Sequence, residues 1–136
     1  MIVASGKMST FGGPEDKGVA ADEGLALVEP GDLIEWWFRR VFLPAQPINT
    51  TGLARRLNPL AFYIAMRWPD HGILKETARR AIFKLSSPKK PGASVFAQAV
   101  DYGPAEWTDR VVDISLGAAT ALGLTTNEWI TVEMIT

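Results

Sequence analysis

The chain reads as a mainly β domain closed around one core, with a single dependable helix. Three observations predict this. Short runs rich in β-branched and aromatic residues recur along the chain, glycine and proline interrupt them at most junctions, and the strongest run is apolar on both faces. The 136 residues suit one domain spanning 1–136, because a single core stays continuous well beyond this length. Apolar residues make up 47% of the chain and charged residues 21%, a balance that supports a folded core over a disordered tail.

Taken in order, residues 1–11 form an apolar, β-branched stretch that stops at Gly12-Gly13-Pro14 and reads as a first strand. A polar loop follows with Glu15, Asp16, Lys17, Asp22 and Glu23, then a short apolar run at 25–28 closed by Pro30-Gly31. Residues 32–43 are ambiguous in period. Their aromatic and β-branched content favours a strand, while Leu33, Trp36, Trp37 and Val41 also fit one face of a helix. Residues 53–57 read as a turn of helix before Asn58-Pro59 ends it. Residues 61–68 form a strand ended by Pro69-Asp70-His71-Gly72.

Residues 79–86 and 94–101 flank Ser87-Pro88-Lys89-Lys90-Pro91-Gly92 and read as the arms of a long hairpin. In the second arm Val95, Ala97 and Ala99 alternate with Phe96, Gln98 and Val100, as expected of a small barrel that also packs against outer segments. Ser115 is placed to cap a helix through Leu122, with Gly123 at the left-handed C-terminal position. Residues 128–135 alternate as a last strand.

Several function classes drop out on composition. The net charge of −1 and scattered Lys and Arg lack the phosphate-neutralising field of a nucleic-acid binder. The absence of cysteine removes thiolate catalysis and Cys-based zinc sites, and with His71 the lone histidine no His-rich metal set can be built. No metal or cofactor is expected. No run reaches the length of a membrane span, and residues 1–10 hold no apolar core of a signal peptide.

One segment carries chemistry. Asp101-Tyr102-Gly103-Pro104 is followed by Arg110-Val111-Val112-Asp113-Ile114-Ser115, then by Ala118-Ala119 and Leu122-Gly123. In order and spacing this resembles rare lipoprotein A and the expansins, whose signature is a strand ending in Asp-Arg-Gly-Pro, an Arg-x-x-Asp-Leu-Ser segment and a small-residue helix ending in Leu-Gly. Met8-Ser9-Thr10-Phe11-Gly12 is similar to the family's first strand, and residues 18–24 to its acidic loop. Tyr102 stands where the family has arginine, the histidines that often follow the acidic loop are absent, and residues 32–80 are longer than in compact members.

The resemblance implies a six-stranded double-psi β-barrel with one short helix and a long irregular insertion. It also implies a lytic transglycosylase-like enzyme acting on peptidoglycan, or another wall polysaccharide, in the cell envelope or outside the cell, with delivery by a phage as one route. The alternatives are a non-catalytic, expansin-like wall-binding module and a structural barrel of a phage or secretion assembly.

Glycosidic cleavage needs a carboxylic acid held partly protonated, and Asp101, at the end of an apolar strand, suits that role. The resemblance offers Glu23 as the second catalytic carboxylate, with Asp113 and Thr10 as substrate-binding groups. Among aromatic residues, Tyr102 and Trp107 in the loop after Asp101 are expected to stack on sugar rings, and Trp36, Trp68 and Trp129 are expected in packing.

Overall fold

A computed structural model describes residues 1–34 and 36–135. Six strands close into a mixed barrel: β1 (Ile2–Thr10), β2 (Tyr63–Met66), β3 (Phe83–Ser86), β4 (Ser94–Asp101), β5 (Val112–Ile114) and β6 (Trp129–Met134). Their order around the wall is β1-β5-β2-β4-β3-β6, and β6 returns to pair with β1. The pairs β1/β5 and β2/β4 are parallel, and the other four neighbours are antiparallel. Two parallel pairs within a closed wall of six strands are compatible with the double-psi arrangement.

Period-2 alternation fills the interior. Met8, Ile64, Met66, Phe83, Leu85, Ala99, Val112, Ile114, Ile130 and Val132 are buried together, and α4 (Leu116–Leu122) adds Ala118, Ala119 and Leu122 to the same core. The helix begins and ends as its sequence predicts: Ser115 Oγ accepts the Ala118 N–H at 3.1 Å, and Gly123 takes φ 68°.

The segment between β1 and β2 forms a second, smaller core on the outside of the wall. Phe38, Val41, Leu53, Ala54 and Leu57 pack there against Tyr63 of β2 and Val100 of β4. This explains why β2 is buried along its whole length and why the end of β4 is apolar on both faces.

Three expectations are corrected. The described residues of 32–43 do not form a strand: Pro30–Ile34 is a 3-10 turn and Trp36–Arg39 is a helix, α1. Asp32 Oδ2 accepts the Glu29 N–H at 2.8 Å, and Phe38 and Val41, three apart, are both buried. Docking of that face overrides the β preference of the aromatic residues. Arg79 and Arg80 do not begin a hairpin arm; they end α3 (Lys75–Arg80), where Glu76 pairs with both. The hairpin is therefore shorter, with β3 starting at Phe83. Trp129 is 53% exposed and does not belong to the packing, whereas Trp68 does pack on the main core. The helical turn expected at 53–57 is present as α2 (Leu53–Arg56). The side chains of Trp36 and Trp37 lie outside the described residues.

Candidate functional site

Strand register assembles the site. Ala65 of β2 pairs with Asp113 on one side and with Asp101 on the other, and Asp113 pairs in turn with Ser9 of β1. The row Ser9–Asp113–Ala65–Asp101 therefore crosses four strands at one level. Met8, Val112, Ile64 and Met66 occupy the interior, so the row faces outward from the barrel.

Asp101 reaches that face only because β4 is bulged. Ile64 pairs with Ala99, but the next residue, Ala65, pairs with Asp101, which leaves Val100 as the extra residue. An unbroken register would turn Asp101 to the opposite side, into the core. Leu27 anchors the bulge by donating its N–H to Val100 O at 3.1 Å, and Ala26 N–H donates to Asp101 Oδ1 at 2.8 Å.

The two aspartates keep different company. Burial pushes the Asp101 pKa up, against hydrogen bonds from the Ala26 and Tyr102 N–H groups; the charges of Glu23 and Asp113 push it up further. Burial also pushes Asp113 up, but a hydrogen bond from Ser9 Oγ and the guanidinium charges of Arg110 and Arg67 oppose it, while Asp16 adds to the rise.

The two arginines also shape the surrounding loop. Arg67 donates to Pro104 O, to Arg110 O at 3.1 Å and to Asp70 at 3.0 Å, and Arg110 Nε donates to Asn127 Oδ1 at 2.9 Å. Gly103, at φ 145°, brings the loop against Asp113: a β-carbon there would lie 3.8 Å from Asp113 Oδ2.

The other predicted residues fall around the row. Glu23 is exposed, and its Oε1 accepts the Ala20 N–H at 3.3 Å within its own turn, although its charge reaches Asp101. That turn is pinned by Thr51 and Gly52, whose N–H groups donate to Ala21 O at 2.9 and 2.8 Å. Tyr102 is 46% exposed and packs edge-on against Trp68, with centroids 5.2 Å apart. Trp107 stands 88% exposed on the 3-10 turn Glu106–Thr108.

Thr10 lines an adjoining cavity of about 270 Å³ with Phe11, Gly12, Glu15, Asp16, Pro59 and Leu116. The hydroxyl on Asp113 belongs to Ser9, which the sequence reading missed; counting outward positions from the apolar Met8 identifies it. Arg67 and the bulge left no comparable local signal.

Compared with protein-family models and with curated proteins, the chain matches none, so its likeness to rare lipoprotein A and the expansins rests on residues 101–104 and 110–123 and on the closed six-stranded barrel that carries them.

Proposed function

We propose that the chain cleaves glycan strands of peptidoglycan by the route of a lytic transglycosylase, with Asp101 as its acid and base. The observation that carries this reading is the bulge that lifts Asp101 out of the core onto the same outward row as Asp113. In this reading Asp101, half-buried and raised above its ordinary value by burial, carries the proton. Asp113, served by a hydroxyl and two guanidinium groups, is the better site for negative charge facing an oxocarbenium-like centre.

Asp101 donates its proton to the glycosidic oxygen as the bond from that oxygen to the anomeric carbon breaks. The 6-hydroxyl of the same sugar then attacks the anomeric carbon and gives its proton to the Asp101 carboxylate, which closes a 1,6-anhydro ring. The proton is returned and no water is consumed. The Cα positions of Asp101 and Asp113 are two inter-strand steps apart, roughly 10 Å. Glu23 acts through its charge, and Tyr102 and Trp107 offer rings to the sugar faces.

A second reading, a non-catalytic wall-binding module, is favoured by the use of the Glu23 carboxylate as a turn cap, where its Oε1 accepts the Ala20 N–H. Incubation with purified sacculi, followed by mass spectrometry of the soluble products, separates the two. Anhydro-muropeptides from the wild type and none from Asp101→Asn are expected. Sacculi that retain the protein but release nothing would establish the binding module instead.

A further inference from the structure

The cavity at the end of β1 is walled by segments that are each tied down. Phe11 N–H donates to Ile114 O at 3.1 Å and Phe11 O accepts from Tyr63 Oη. Asp16 holds the turn that follows, accepting the Gly12 N–H at 2.6 Å and the Gly18 N–H at 2.8 Å. Pro59 O accepts the Gly117 N–H at 2.6 Å, which fixes Pro59 against the start of α4, where Leu116 lies. The walls are therefore pre-formed. At about 270 Å³ the space falls just below the roughly 300–1,000 Å³ of small-molecule sites, so it suits a single side chain better than a sugar chain.

Its lining divides by chemistry. Phe11, Pro59 and Leu116 supply apolar surface, and Leu116 stays 54% exposed while Ala118, Ala119 and Leu122 of the same helix are buried. Glu15 and Asp16 supply the charge, and both are negative. Among the described residues, no lysine or arginine lines the space and Glu15 has no ion-pair partner. The Arg55 guanidinium that holds the same loop is taken up by Pro14 O at 2.8 Å and Val19 O at 2.7 Å. An organic cation suits this lining better than a metal ion. Among the described residues no three carboxylate or imidazole groups converge as ligands, and a hard cation gains nothing from a phenyl ring, a proline and a leucine. A methylene stem with an ammonium head matches both halves of the lining.

We infer that this cavity is a binding pocket for the side chain of a diamino acid, with its ammonium on Glu15 and Asp16 and its stem on Phe11, Pro59 and Leu116. Asp101 does not line the pocket, so binding there is independent of glycan cleavage.

Titration of isotope-labelled protein with Nα-acetyl-lysine methylamide, followed by backbone amide NMR, tests the pocket. Saturable shifts at Gly12, Asp16 and Leu116 are expected, with a Kd of about 1 mM. The norleucine and Nε-acetyl-lysine counterparts keep the stem and lose the charge, and should bind about tenfold more weakly. Glu15→Gln, a change at an exposed side chain, should weaken lysine binding about threefold. Equal binding of lysine and norleucine, wild-type lysine affinity in Glu15→Gln, or no saturable shift at those amides overturns the pocket. Calcium chloride moving the same amides at lower concentration than lysine also overturns it, by assigning the carboxylates to a metal ion. A muramyl tripeptide ending in lysine separates the sources of the amine. Tighter binding than the capped amino acid supports the pocket as a reader of wall peptides, and equal binding supports it as a reader of lysine side chains in general.

Discussion

Asp101 and Asp113 sit at one level of the wall, and burial raises both above their ordinary value of 3.8. A raised folded pKa means that the native state binds more protons than the unfolded chain between 3.8 and the raised value. Stability contributed by these carboxyls is therefore present at low pH and is lost as pH rises through that window. Asp101→Asn removes the charge while its amide oxygen still accepts the Ala26 N–H. It is expected to raise the melting temperature at pH 7, to lose that advantage below about pH 3.8, and to abolish glycan release. Paired thermal melts across pH check the sign; a variant less stable than wild type at pH 7 would show that the Asp101 charge is not under strain. Asp101 itself was legible as a carboxylate ending an apolar strand, whereas the Ser9 hydroxyl that donates to Asp113 was not.

At the scale of elements, the features with local chemical signals were the legible ones. The Ser115 cap, the small-residue helix and Gly123 follow from side-chain and backbone preferences that act within a few residues. Ser115 is fully buried, and its Oγ also accepts the Tyr63 N–H at 3.4 Å, so the cap ties α4 to β2. Ser115→Ala should cost about 1–2 kcal/mol and lower the melting temperature by roughly 4–10 °C. Calorimetry of the variant checks this, and a shift within 1 °C or so would sink the capping account. By contrast, α1, α3 and the three-residue β5 carry weak local signals. Aromatic residues with β preference became helical at α1 because Phe38 and Val41 had a core to enter.

For the whole molecule, the insertion is part of the fold. Its core shares Tyr63 and Val100 with the barrel wall, and Tyr63 Oη donates to Phe11 O at 2.8 Å, which links the end of β1 to the same cluster. Phe38, fully buried under Arg79, is the test: Phe38→Ala should cost about 3–5 kcal/mol. Chemical denaturation should give one transition with a lower midpoint and an unchanged slope. A biphasic curve would mean that insertion and barrel unfold separately. Among the described residues, no helix is long and apolar enough to cross a membrane.

The sequence by itself determined the β-rich class, the helix and its caps, most strand positions, and the aspartates around which the site is built, because periodicity, capping and turn chemistry act over a few residues. Only the tertiary structure decided which of those residues meet. The closure of β6 on β1, the bulge that aims Asp101 outward, the Ser9 hydroxyl on Asp113 and the exposure of Trp129 all depend on pairing between distant strands. Register is a long-range property: one residue of slip reverses a side chain's face, and nothing local to β4 records which face its partner requires.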